Sequence, residues 1–219
     1  FAFGQVYAET YGNLEYEIRS LGYPPNYSFV ITGYTGQPVD LIVPGVIQDD
    51  VYGEITILNS AASNSYPPYD TDGIANGAFK DCTSLKSIVL PEGLDSIGGG
   101  AFKGCTNLIS ITLPSSLDHI GRTGYGDYGV FEGCTNLKSI SFPDGISSIV
   151  SATFKGCTSL TSIALPESIE YIEWNAFEGC TSLAQITLPN ETSTIGWDAF
   201  EGCDNLVAIT LGADFESIG

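Results

Sequence analysis

The stretch Ala101-Phe102-Lys103-Gly104-Cys105-Thr106-Asn107-Leu108-Ile109-Ser110-Ile111-Thr112-Leu113-Pro114 decides the fold, because it recurs. Its frame, Ala-Phe-x-Gly-Cys-Thr-x-Leu-x-x-Ile-x-Leu-Pro, is complete again over Ala176 to Pro189. The six cysteines, Cys82, Cys105, Cys134, Cys157, Cys180 and Cys203, are separated by 23, 29, 23, 23 and 23 residues. A phenylalanine stands three residues before each: Phe79, Phe102, Phe131, Phe154, Phe177 and Phe200. The long interval is one period plus six inserted residues. Six units therefore begin near Ala78, Ala101, Val130, Thr153, Ala176 and Ala199, the last one incomplete, and a fixed period of this length is the signature of a repeat architecture.

Each unit can be read from its side chains. In Leu85-Lys86-Ser87-Ile88-Val89-Leu90, residues 88 and 90 have the spacing of one strand face and Leu85 turns in just before, which predicts a short strand with one buried side. Pro91 ends it by removing a ladder donor, as do Pro114, Pro143, Pro166 and Pro189. The Ala-Phe-x-Gly stretch reads as one helical or 3₁₀ turn closed by a left-handed glycine at Gly104, Gly133, Gly156, Gly179 and Gly202, with Asp81 in that place in the first unit. The apolar pair after each proline, as in Leu94 and Ile97, predicts a second small strand. One unit cannot bury its Leu, Ile, Phe and Cys alone, whereas stacked units share a continuous core, so the expected architecture is a solenoid. At about 4.8 Å per coil, six coils extend roughly 30 Å.

This 23-residue frame resembles the BspA-like, or Treponema pallidum type, class of leucine-rich repeats found mainly in bacterial surface proteins. The resemblance covers about residues 78–219 in six tandem copies. It implies a leucine-rich-repeat solenoid, α/β by convention but made mostly of short β-strands and one-turn helices, wound as a right-handed coil. Upstream, Tyr27 to Gly36 followed by Val39-Asp40-Leu41-Ile42-Val43-Pro44 resembles the lead-in such arrays carry. Strands at Leu14–Ile18 and Ser28–Thr32 are expected to pair and cover the first coil, sparing its ladder edge from water. The organisation that follows is an N-terminal β cap and irregular first coil over 1–58, an inserted loop over 59–77, and six repeats over 78–219.

Charge and composition restrict the partners. Seven Lys and Arg stand against 26 Asp and Glu in 219 residues, a net charge of −19, while 43% hydrophobic residues can supply a core. Nucleic acid gripped by its phosphates, or an anionic membrane held by a basic patch, calls for the opposite balance. No run approaches 18 apolar residues, so membrane insertion is not expected. The start Phe1-Ala2-Phe3 lacks the features of a signal peptide, as in a mature or trimmed chain.

The cysteines share one inward position, so their Cβ atoms should lie parallel at the coil spacing of about 4.8 Å, beyond the roughly 3.5–4.5 Å a disulfide prefers. A ladder of buried thiols is the expectation, with disulfides or a metal as alternatives. His119 is the only histidine and occupies a polar-tolerant position just before a buried Ile. It offers no second partner for a Ser-His-Asp or Cys-His arrangement, so no enzyme activity and no cofactor are expected. The outward strand residues, such as Ser110 and Thr112, or Gln185 and Thr187, are small and nearly uncharged. They form either a smooth passive face or a shallow platform for an extended partner.

The departures from the repeat carry the binding candidates, because solenoids place variable function in insertions. Tyr66 and Tyr69 lie in the loop 59–73, and Tyr125 and Tyr128 in the six-residue insertion between Ile120 and Phe131. They read equally as ligand anchors or as loops folded back over the coil edge. Asp70-x-Asp72-Gly73 echoes the start of a calcium loop without its further ligands, which leaves Asp70 and Asp72 a weak calcium candidate and no other metal site. Trp174 and Trp197 hold equivalent places in adjacent units, as a packing pair or as ligand-stacking rings. The acids after each proline, such as Glu92, Asp95, Glu167 and Glu170, are expected to coat the convex side.

The expected function is a non-catalytic, secreted or cell-surface interaction module, for which the resemblance implies adhesion to a host matrix protein or another cell. Two alternatives are a structural spacer that displays other domains and a carbohydrate-binding module using the tyrosine loops. The partners expected are a protein or glycan on host or neighbouring cells, with edge-to-edge self-association through the C-terminal coil a further possibility.

Overall fold

The computed structural model describes residues 73–121 and 129–219, with strand backbone at 6–11, 14–20, 27–34, 40–42, 46–49 and 53–56. The loop calcium candidate, Asp70 and Asp72, and the four loop tyrosines, Tyr66, Tyr69, Tyr125 and Tyr128, lie outside the described residues. Residues 73–121 and 129–219 form a parallel β-solenoid in which each 23-residue unit is one coil.

Every coil contributes two strands. The longer is three residues: β8 (Ser87–Val89), β10 (Ser110–Thr112), β12 (Ser139–Ser141), β14 (Ser162–Ala164), β16 (Gln185–Thr187) and β18 (Ala208–Thr210). The shorter follows the proline turn: β9 (Ser96–Ile97), β11 (His119–Ile120), β13 (Ser148–Ile149), β15 (Tyr171–Ile172), β17 (Thr194–Ile195) and β19 (Ser217–Ile218). Equivalent residues pair in parallel, Ile111 with Ile88 and Ile195 with Ile172, and the expected inward Ile between more open neighbours recurs coil after coil, buried in β8, β10, β12 and β16 and half-buried in β14 and β18.

Upstream, β1 (Val6–Tyr11), β2 (Leu14–Ser20) and β3 (Tyr27–Tyr34) form an antiparallel meander, with Ile18 opposite Phe29. β3 then pairs in parallel with β7 (Gly73–Ile74), and β7 with β9, so the meander opens the short-strand sheet. β4 (Asp40–Ile42) pairs with β8 and opens the other. A separate hairpin joins β5 (Val46–Asp49) to β6 (Gly53–Thr56).

The core is a set of columns. Phe79, Phe102, Phe131, Phe154, Phe177 and Phe200 stack with successive ring centroids 5.2, 5.5, 5.6, 5.4 and 5.3 Å apart, and Tyr34 extends the stack at its first end. Beside them runs the cysteine column. All six thiols are free, and Cys105, Cys134, Cys157 and Cys180 are buried. From Cys105 onward each thiol donates to the phenylalanine carbonyl of the preceding coil, Cys105 Sγ to Phe79 at 3.0 Å and Cys157 Sγ to Phe131 at 3.2 Å, which satisfies a polar atom that burial would otherwise orphan. In the fifth coil Thr192 replaces the usual Leu or Ile and stays fully buried, its hydroxyl donating to the Ile169 carbonyl at 2.8 Å.

One expectation needs correction. The Ala-Phe-x-Gly segments contain no helix: they are consecutive tight turns. Their amides alternate. Ala78, Lys80 and Cys82 donate three residues back, to Ala75, Gly77 and Phe79, while Gly77, Phe79 and Asp81 donate to Gly99, Ala101 and Lys103 of the next coil. A 3₁₀ helix needs every amide for its own ladder, and here every second one is spent between coils. The expected left-handed residues are present, at φ 59° for Asp81 and φ 72° for Gly156 and Gly179. The strand faces are not unbroken sheets. They divide into β4-β8-β10, β12-β14 and β16-β18, and the short-strand sheet divides between β11 and β13. The second division falls at the six-residue insertion, and there the turn column continues the stack, Phe102 N–H donating to Val130 at 2.9 Å and Gly104 N–H to Glu132 at 2.8 Å, with Asn136 Nδ2 adding a bond to the Thr106 carbonyl at 2.8 Å.

Candidate interaction surface

The turn column positions the most exposed large side chains of the interior coils. Just after β15 and β17, the chain leaves the short strand and turns toward the phenylalanine column, and this corner carries Trp174 and Trp197. They are 63% and 68% exposed, with near-parallel rings whose centroids lie 6.3 Å apart. A large apolar side chain left this open is the informative kind of exposure. Gly196 makes the arrangement possible: a Cβ there would stand 2.6 Å from Cδ1 of Trp174, so the indole lies across the glycine of the next coil, and Trp197 lies across Gly219 in the same way. Packing on the coil edge and exposure to solvent thus coexist. Tyr171, on β15 three residues before Trp174, is exposed as well.

Four residues beyond the tryptophan position runs a charged row, one residue per coil: Lys80, Lys103, Glu132, Lys155, Glu178 and Glu201. Lys103 meets Glu132 at 2.9 Å and Lys155 meets Glu178 at 2.6 Å. The hydrogen bond that Lys155 donates to Glu178, with further attraction from Glu178, Glu132 and Glu201, holds the Lys155 ammonium pKa above its ordinary value. Asn175 Nδ2 donates to Glu178 at 2.9 Å and so ties the row to the tryptophan corner. Lys155 is the last cation of the chain: residues 156–219 contain ten Asp and Glu and no Lys, Arg or His. Exposed Asp198 ends the fifth coil and exposed Glu201 follows in the sixth, with no cation in either coil.

A second ionisable cluster joins the first two coils. Asp95 is pushed up to about 6, first by burial and then by the neighbouring Asp118, against the pull of Ser96 and His119. Its Oδ1 is buried without a hydrogen-bond partner. Asp118 in turn is paired with His119, which is exposed as its sequence position suggests. Glu92, a few residues away, is held below the usual carboxylate range by the Ser115 amide and hydroxyl. The thiols offer no nucleophile in this state: burial pushes Cys105 and Cys180 up to about 12, and Cys134 and Cys157 well above their ordinary value.

Of the sequence candidates, the described residues bring together Trp174 and Trp197. Among the described residues there is no group of three or more His, Cys, Asp or Glu side chains able to hold a metal, and no helix long and apolar enough to cross a membrane. Sequence reasoning passed over the charged row and the cation-free stretch after Lys155. Both were visible by aligning the units and reading position 178 and its equivalents down the column.

The family described as BspA type leucine-rich repeat region matches residues 72–128 and 126–219 in six copies. The solved leucine-rich repeat protein of T. pallidum is 30% identical, with a TM-score of 0.72 over 92% of this chain and 81% of that one. A leucine-rich cell surface protein of Faecalibacterium prausnitzii is 30% identical, with a TM-score of 0.68 over 96% of this chain. A leucine-rich repeat protein of Bacteroides ovatus shares the fold at 23% identity and a TM-score of 0.67 over the whole chain. This chain spans 55% and 54% of the length of the latter two. No curated protein matches it. Repeat solenoids of this type build protein-interaction modules.

Proposed function

Because the chain belongs to the BspA type leucine-rich repeat family, we propose that it is a non-catalytic interaction module of the cell surface or extracellular space, which adheres to a matrix protein or to another cell. The observation that carries this reading is the exposed Trp174–Trp197 pair on a framework whose buried positions repeat with little change. A rigid core that holds variable, amphipathic side chains at one edge is suited to recognition. The F. prausnitzii relative is a cell surface protein, and that location extends here by similarity. The non-catalytic reading draws on the sealed thiols and on a single histidine that is already paired with Asp118.

In this reading, residues 1–58 cap the array, 59–77 lead into it, and 78–219 are the repeats. The insertions add Tyr66, Tyr69, Tyr125 and Tyr128 to the contact surface. Beads coated with the purified chain are expected to adhere to immobilised matrix proteins or to cells, and replacement of the four tyrosines by Ala is expected to reduce that adhesion. A second reading, a spacer that displays other domains, draws on the small, uncharged outward residues of β10, β12 and β14. It predicts no adhesion by either chain.

A further inference from the structure

We infer that the corner formed by Trp174, Trp197, Asp198 and Glu201 is a docking surface for an arginine-bearing, cationic segment of a protein partner. This rests on the reading of the chain as a protein-interaction module and names the chemistry of what it binds.

Three observations meet at this corner. The indoles are stacked and mostly open to water, so part of their surface is available to a ligand. The charged row beside them pairs lysine with glutamate through Lys103–Glu132 and Lys155–Glu178, and the next member, Glu201, follows Glu178 with a second negative charge. Beyond Lys155 the chain carries ten acids and no base, so the charge these residues contribute is negative alone.

An arginine side chain answers each of these features. Its guanidinium is planar and weakly hydrated, stacks on an aromatic face and pairs with a carboxylate in the fork geometry, whereas a lysine ammonium does only part of this. A cation placed between Trp197 and Glu201 supplies Glu201 with the counter-charge that Lys103 gives Glu132 and Lys155 gives Glu178. A neutral sugar could use the rings but gains nothing from the field. Sulfated glycans and nucleic acids are repelled by it.

Trp174 and Trp197 are the chain's two tryptophans, so its tryptophan emission reports on this corner alone. Titration of the intact chain with an oligo-arginine peptide is expected to change that emission saturably, with an affinity that falls as salt is raised. The double variant Asp198→Asn/Glu201→Gln should weaken binding by about five-fold or more. The charge-matched control Glu167→Gln/Glu191→Gln, on the proline turns away from the corner, should leave it within about two-fold. Binding of a labelled peptide should weaken likewise in Trp197→Ala, whose thermal unfolding verifies that it is folded. No emission change, equal losses in the two charge variants, or a response to a neutral oligosaccharide in place of the peptide would each overturn the inference. The bead assay separates it from the broader reading. Adhesion unchanged in Asp198→Asn/Glu201→Gln overturns this surface and leaves the module standing, whereas peptide binding without adhesion does the reverse.

Discussion

Cys134 and Cys157 illustrate how one side chain serves packing and polar satisfaction together. Each fills a column position as a small apolar group, and each places its one donor on a carbonyl of the preceding coil at 3.2 Å. The desolvation that raises their pKa also suppresses the thiolate, so a thiol reagent applied to the folded chain should modify half-buried Cys82 and Cys203 first and spare the four interior cysteines until unfolding. Mass spectrometry of partly labelled protein checks this, and early labelling of Cys134 or Cys157 would contradict it. Asp95 makes a prediction of opposite character. Its folded pKa, about 6, lies above the usual carboxylate value, so the folded state holds a proton that the unfolded chain has released. Its contribution therefore favours folding increasingly as pH falls from 7 through 6 toward the unfolded value near about 4, and that contribution is lost as pH rises. Urea denaturation of the wild type and of Asp95→Asn at pH 7 and pH 5 should show the wild type gaining on the variant at the lower pH. Parallel behaviour would refute the assignment.

At the scale of the element, the turn column holds the coils together where the sheets divide. Its alternating amides were not legible in the sequence, because Ala-Phe-x-Gly specifies a tight turn equally well whether its donors close a helix or reach the next coil. The choice is made by the neighbouring coil, which a single unit does not display. A second left-handed row was missed for a related reason. It includes Gly77 and Gly100, but in later coils the place passes to Ala152, Asn175 and Asp198, so no constant residue marks it. Asn and Asp tolerate φ near 57°, whereas Ala bears the full Cβ penalty. Ala152→Gly is therefore expected to stabilise the chain by about 1 kcal/mol, set against the entropy that Gly costs. Gly179→Ala should destabilise it by a comparable amount: a Cβ there meets only ordinary contacts at 3.7 Å, so the backbone angle alone is responsible. Thermal melts of both variants test the sign. The strands and the phenylalanine and cysteine columns were legible, since period and face are fixed by apolar spacing. The Trp174–Trp197 neighbourhood was too, because equivalent residues in adjacent units must stack.

At the scale of the whole molecule, a solenoid distributes its stability over nearest-neighbour interfaces, so the same substitution costs more between two coils than beside one. Phe131 is fully buried between Phe102 and Phe154, whereas Phe200 is half-buried with one ring neighbour, Phe177. Phe131→Ala should cost about 3–5 kcal/mol, and Phe200→Ala distinctly less. Denaturant titration reads the difference, and equal losses would contradict a linear array. Charge is distributed on the same scale. All seven cations precede residue 156, and the remaining coils present acids and two open indoles. That asymmetry and the family's repeat framework both lead to recognition of a protein. The most direct test is binding of the intact labelled chain to an array of immobilised extracellular proteins and neutral glycans over a range of salt. The account predicts salt-sensitive binding to one or more proteins with exposed basic segments. Binding confined to glycans, or no binding above background, would contradict it.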